Sequence, residues 1–191
     1  GELIYDIVRQ WGPLSQRTAL PLYVALATDC GCFVYSNTNA SAHRVAAALM
    51  ETGIDVYPIN RLHFRSKSLK RLKLEGQLTA GMELRDNGET ALVFLTRAMI
   101  DAIGADERDM DNISAFVGQI EGVKNGVTLK ETVDGQIKIS VRTDPGDLNA
   151  SKVCALLGGG GHAAAAGAAF YATMDEARQR VLDAIQAVRN G

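Results

Sequence analysis

At 191 residues with 47% hydrophobic content, the chain can bury a real core, arranged as one large or two small domains. A formal net charge of −2 excludes a basic nucleic-acid scaffold, so any nucleic-acid contact must come from a local patch and a short ligand. The odd set Cys30, Cys32 and Cys154 suits a reducing cytoplasm rather than a disulfide framework, and no apolar run approaches the ~20 residues of a membrane span or forms a signal segment.

The first predicted helix runs from Gly1 to Trp11, with Leu3, Ile4, Ile7, Val8 and Trp11 on one face, and Gly12-Pro13 ends it. Ser15 is placed to cap a second helix, Gln16 to about Thr28, whose buried set is Leu20, Leu22, Tyr23, Leu26 and Ala27. Asp29 follows that face. Residue chemistry alone leaves it either capping the turn at Gly31 or paired with a cation or metal, because an unpaired acid at a buried helix end is costly. Thr38 or Ser41 opens a third helix, Ala42 to Met50, closed at Gly53; Ser36, Asn37 and Thr38 form a polar turn before it. After a short piece over Val56 to Phe64, the stretch Ser66 to Leu78 sets Leu69, Leu72 and Leu74 among Lys67, Lys70, Arg71 and Lys73. That pattern reads as a basic, solvated helix connecting two lobes, with the boundary between 65 and 80.

The second lobe opens with a hairpin signal, Met82 to Arg85, a turn at Asp86-Asn87-Gly88, and Ala91 to Leu95. Helices are predicted at Arg97 to Ile103 and Met110 to Gln119. A second hairpin joins Val123 to Thr132 with Gln136 to Val141 through Asp134-Gly135, placing Arg142 at the end of the returning strand. A helix over Asn149 to Leu157, a strand over Ala165 to Tyr171 and a closing helix over Met174 to Val188 complete an α+β lobe with a mixed sheet.

Between that penultimate helix and its following strand stand four consecutive glycines, Gly158 to Gly161, and then His162. A dinucleotide fingerprint needs strand, glycines, then helix, which is the reverse order. Gly158 alone is explained as the left-handed residue that ends a helix. The other three fit a loop whose bare N–H groups converge on an anion, with His162 beside them, and a phosphate is the expected ligand.

The run Gly158 to His162 followed by Ala165-Ala166-Gly167 resembles the GGGH…AAG signature of the DHH-associated domain that closes DHH-family phosphoesterases. Upstream, Thr28-Asp29-Cys30-Gly31-Cys32-Phe33 with Tyr35-Ser36-Asn37-Thr38 resembles the last metal-ligand motif of that family, D-T-G-x-F followed by a short S-N-T run. The resemblance is strongest to the nanoRNase and pAp-phosphatase branch and covers nearly the whole chain. It implies an α/β (α+β) architecture in which residues 1–65 are a helical remnant, the C-terminal part of the DHH phosphoesterase domain. Residues 66–80 would be a connector helix and 81–191 a DHH-associated substrate-binding domain.

The same resemblance implies a cytoplasmic, manganese-dependent phosphodiesterase or phosphatase acting on short oligonucleotides or 3′,5′-bisphosphate nucleotides. Asp29 would be one ligand of a two-manganese centre, and Arg142, Gly158, Gly159, Gly160, Gly161 and His162 would hold the substrate phosphate. A cyclic-dinucleotide phosphodiesterase relative and a non-catalytic nucleotide- or RNA-binding module, like the similar domain that ends alanyl-tRNA synthetases, stand as alternatives. The family's H-x-x-x-D-x-D run and D-H-H triplet do not occur in this sequence. His43 and His63 are isolated, and Asp109-x-Asp111 lies in an acidic turn where helix capping is the expected role. The chain therefore reads as a C-terminal portion that hydrolyses little alone. Its Asp29 face would be exposed, swapped within a homodimer, or packed on a neighbour. Ala163-Ala164, where the family often has a polar pair, and Val34, where it often has arginine, imply an altered substrate range.

Overall fold

In the computed structural model, which describes residues 1–144 and 146–190, the chain divides into two units, Gly1–Ser66 and Lys67–Gly191. The first is all-helical: α1 (Glu2–Arg9), α2 (Gln16–Asp29), α3 (Ala40–Met50) and α4 (Tyr57–Asn60), which runs on into a π-helical turn at Arg61–Arg65. Its core joins Tyr5, Leu22, Tyr23 and Leu26 to Val45, Ala46 and Leu49. Ser15 caps α2 as expected, accepting from the Thr18 N–H at 3.3 Å. The cap of α3 is Asn39, however, and not Thr38 or Ser41. Its extended backbone lets Oδ1 accept from the Ala42 N–H at 2.9 Å, and α3 starts two residues earlier than its apolar pattern suggests.

The second unit contains α5 (Leu69–Ala80), α6 (Arg97–Ile103), α7 (Ala150–Leu156), α8 (Met174–Asn190) and six strands. These are β1 (Glu83–Arg85), β2 (Thr90–Leu95), β3 (Asn125–Glu131), β4 (Gln136–Thr143), β5 (Gly160–His162) and β6 (Ala165–Tyr171). They form one mixed sheet in the order β1-β2-β3-β4-β6-β5, in which only the β2–β3 pair is parallel.

Two expectations change here. The stretch expected as a solvated connector is α5, whose Leu74 and Leu78 are wholly buried in this unit's core. Three cations at its start are tied down: Lys67 and Arg71 hold Glu75 at 2.9 and 2.8 Å, Lys70 donates to the Gly104 carbonyl, and Arg71 also donates to the carbonyls of Asp109 and Asp111. The expected helix over Met110 to Gln119 is instead two 3₁₀ turns, Ile113–Ala115 and Val117–Gln119. Asn112 enters the left-handed region at φ 48°, which no α-helix accommodates. Asp109 folds back to accept from the Asp106 N–H and the Ser68 hydroxyl, so it caps a turn and not a helix.

The sheet's two faces are covered unequally. Leu92, Val127, Leu129, Ile137, Ile139 and Val141 point to one face and pack under α7 and α8. Ala91, Val93 and Leu95 point to the other and pack under α5, α6 and the 3₁₀ turns. That second cover reaches β3, where a Cβ on Gly126 would lie 2.8 Å from the Val117 side chain. Past β3 it stops. On this face β4, β6 and β5 present Lys138, Ser140, Arg142, Ala165, Gly167, Ala169, Gly160 and His162, all exposed or half-buried.

Candidate functional site

The glycine run resolves into four different backbone jobs. Asn149 caps α7 by accepting from the Lys152 N–H at 3.1 Å, and the helix ends in a Schellman turn. In that turn the Gly158 N–H donates to the Ala155 carbonyl at 3.1 Å and the Gly159 N–H to the Cys154 carbonyl at 2.8 Å, with Gly158 at φ 80°. Gly159 is required by crowding, since a Cβ there would sit 2.1 Å from the Gly167 carbonyl oxygen. Gly160 and Gly161 begin an edge strand antiparallel to β6, in the register Gly160↔Gly167, Gly161↔Ala166, His162↔Ala165. Gly161, at φ 147°, would bring a Cβ within 2.6 Å of the Ala166 Cα.

The expected anion nest is therefore not formed. Two of the four N–H groups are spent on the helix cap, and strand geometry alternates the directions of the others, so they do not converge. Gly160 is the exception to structural need: its φ is ordinary and its Cβ would meet nothing within 4 Å. The room it leaves opens on the uncovered face.

Arg142 and His162 lie on that face in one cross-strand row, for Arg142 pairs with Ala165 on β6 and Ala165 pairs with His162 on β5. Directly opposed residues share a face, so both side chains flank the methyl group of Ala165 across about 10 Å, two strand spacings. The two-residue turn Ala163-Ala164 is fixed from below: Thr143 donates its N–H to the Ala164 carbonyl at 3.0 Å and its hydroxyl to the Ala163 carbonyl at 3.1 Å, and the Ala150 N–H adds a bond of 2.7 Å to Ala163. His162 is thus carried by a braced hairpin. Among the described residues, no ion pair engages Arg142 or Lys138. The uncovered face is a shelf of small residues bordered by uncompensated cations, able to receive an anion from solvent. Ser140 and Lys138, which line it, escaped the sequence reading. The signal was present in the alternation of β4, where Gln136, Lys138, Ser140 and Arg142 interleave with Ile137, Ile139 and Val141.

In the helical unit, Asp29 is the exposed last residue of α2. Its carbonyl accepts from the Asn37 side chain at 3.1 Å, which ties the polar Ser36–Thr38 turn to the helix end. Beyond it Gly31, Cys32 and Phe33 are left-handed in succession, at φ 55°, 56° and 68°. Cys32 and Phe33 each cost about 1–2 kcal/mol there, and such strain concentrates at functional turns. The turn is held by the Cys32 N–H on the Ala27 carbonyl at 2.7 Å and by Phe33 stacked on His43. Burial, with the neighbouring Cys30, pushes the Cys32 thiol up, away from a reactive thiolate. Among the described residues, no three His, Cys, Asp or Glu side chains gather closely enough to hold a metal ion. Within the helical unit neither His43 nor His63 belongs to such a cluster with Asp29, and one carboxylate does not by itself fit a two-metal centre.

The DHHA1 domain family matches residues 92–190, a span that opens in β2 and includes the entire shelf. The chain belongs to the DHHA1 domain family. A bifunctional oligoribonuclease and PAP phosphatase NrnA from Thermus thermophilus is 33% identical over 188 residues, covering 97% of this chain and 55% of that protein. A probable bifunctional oligoribonuclease and PAP phosphatase NrnA from Streptococcus mutans is 26% identical, covering 83% of this chain and 50% of its own length. The chain thus spans about half the length of the curated relatives it matches. The crystal structure of an exopolyphosphatase-related protein from Bacteroides fragilis superposes with a TM-score of 0.87 at 28% identity, over 97% of this chain and 55% of that one. These likenesses bear out the resemblance carried by the GGGH…AAG and D-C-G-C-F motifs, and they place the shelf inside the DHHA1 domain. No helix among the described residues is long and apolar enough to cross a membrane.

Proposed function

We propose that this chain supplies the substrate-binding lobe of a cytoplasmic phosphoesterase that hydrolyses short oligonucleotides or 3′,5′-bisphosphate nucleotides. The observation that carries it is the row Arg142–Ala165–His162 on the exposed part of the DHHA1 sheet, beside a glycine whose missing side chain the fold does not require. The guanidinium offers a planar fork for two charge-assisted bonds to a phosphate, His162 offers a ring N–H from the opposite side, and Gly160 lets the ligand approach the backbone. The names of the two NrnA relatives support the substrate class. On this reading residues 1–65 are the end of a DHH phosphoesterase domain and residues 66–80 lead into the DHHA1 domain. Asp29 is one carboxylate donor toward manganese, whose other donors come from outside this chain.

The test is an NMR titration of the chain with pAp. Binding on the order of high micromolar to millimolar is expected, with shifts centred on Gly160, His162, Ala165 and Arg142. Arg142→Ala should weaken binding at least tenfold and His162→Ala by a smaller factor. Absence of shifts at millimolar pAp, or shifts that neither substitution alters, would overturn the assignment.

A further inference from the structure

We infer that β4 measures substrate length, with Arg142 taking the terminal phosphate, Lys138 the phosphate two nucleotide steps away, and Tyr171 stacking on a base at the far end. This inference rests on the phosphate shelf proposed above and adds to it residues that the terminal phosphate does not need. The outward positions of β4 are Gln136, Lys138, Ser140 and Arg142, and their partners on β6 are Tyr171, Ala169, Gly167 and Ala165. From Ala165 to Ala169 nothing on β6 rises above a methyl group, so a sugar–phosphate chain can lie along β4 on its β6 side, with the depression lined by Asp111 and Asn112 bordering Lys138 on the other. Arg142 and Lys138 are four residues apart, about 13 Å along the strand, which an extended nucleotide backbone crosses in two steps. Ser140, half-buried between them, offers a hydroxyl to the phosphate in the middle.

The charges favour this use of Lys138. Its cross-strand neighbour Lys130 is engaged by Glu107 at 3.6 Å, while Lys138, lining the same depression as Glu107 and Asp111, forms no ion pair among the described residues. The floor then ends at an aromatic ring. Tyr171 is 69% exposed on the open face opposite Gln136, whereas its neighbour Phe170 turns to the other face and packs against the core. An exposed ring closing a strip of phosphate-spaced donors is the combination that holds single-stranded nucleic acid, in which stacking tolerates any base.

The experiment titrates the whole chain with 5′-phosphorylated oligoadenylates of one to four nucleotides at several salt concentrations, for the native sequence and for Arg142→Ala, Lys138→Ala and Tyr171→Ala. The expected native affinity rises up to the trinucleotide. Lys138→Ala should lower trinucleotide affinity three- to tenfold, leave the mononucleotide unchanged, and make the trinucleotide's salt dependence shallower by about 0.7 in log–log slope. Tyr171→Ala should lower trinucleotide and tetranucleotide affinity with the slope unchanged, and Arg142→Ala should weaken every length. Length-independent affinity in the native chain, or a Lys138→Ala loss equal for one and three nucleotides, overturns the length reading while the phosphate shelf stands. If no length binds, the shelf and this inference fall together.

Discussion

Gly160 and its two neighbours make opposite demands on a side chain, and that contrast separates fold from function. A Cβ at Gly159 or Gly161 would collide with β6 backbone, so alanine at either position should cost on the order of 2 kcal/mol or more and loosen the hairpin that carries His162. At Gly160 the same methyl meets nothing and the backbone stays in an ordinary region, so Gly160→Ala should leave stability unchanged or raise it by about 0.5 kcal/mol through the unfolded chain. Its methyl would nevertheless stand on the phosphate shelf. Urea denaturation and pAp titration of the three variants should therefore dissociate: a stable Gly160→Ala protein with weakened binding, and destabilised proteins at the other two positions. Native binding by Gly160→Ala would show that the ligand does not approach this strand.

Among the elements, the short edge strand β1 is clamped to α8 by an ion pair. Glu83 accepts from Arg178 of α8 through both carboxylate oxygens, at 2.8 and 2.7 Å, and Arg85 adds a third contact. The bonds from Arg178 above all bring the Glu83 carboxyl down to about 2. Because the folded value is depressed, the clamp's stabilisation is complete above the unfolded value of 4.5 and is lost as pH falls from there toward 2. Glu83→Gln should thus cost about 1 kcal/mol at pH 7, allowing for a carboxylate that is still 31% exposed, and the cost should shrink by pH 3. Denaturant midpoints of both proteins at the two pH values check this; a pH-independent difference would mean that packing and not charge holds β1.

Elements with side-chain periodicity were legible in the sequence. The β3–β4 hairpin announced itself by Val127 and Leu129 answering Ile137, Ile139 and Val141 across Asp134-Gly135, and α8 by its 3–4 apolar spacing. β5 was illegible because glycines carry no pattern: its strand character comes from pairing with Ala165, Ala166 and Gly167, a tertiary fact. The segment after Asp109 misled because its apolar residues fit a helical spacing while Asn112 breaks the backbone. The shelf was half legible, His162 through the motif and Arg142 through the family resemblance, and Ser140 and Lys138 only once the sheet showed which strands its helices leave bare.

At the scale of the whole chain, two units carry two unlike parts of one proposed chemistry. The DHHA1 unit has two cores built from its own residues, and its shelf residues all come from β4, β5 and β6. A fragment covering residues 67–191 should therefore unfold cooperatively and bind pAp within about twofold of the whole chain, as titration of the two side by side would show. Turnover is a different matter. The helical unit contributes Asp29 just ahead of a strained turn, but among the described residues no three His, Cys, Asp or Glu side chains gather closely enough to hold a metal ion. One carboxylate cannot fix a divalent ion in the geometry that in-line displacement at phosphorus requires, let alone two ions. The chain should consequently bind short RNA yet release no nucleotide from it when supplied with Mn²⁺, and Asp29→Asn should leave binding as it was. Chromatography of a 5′-labelled trinucleotide after prolonged incubation decides the point: manganese-dependent release of mononucleotide, abolished by Asp29→Asn, would mean that this half-length chain assembles an active centre by itself, whether within one copy or between two.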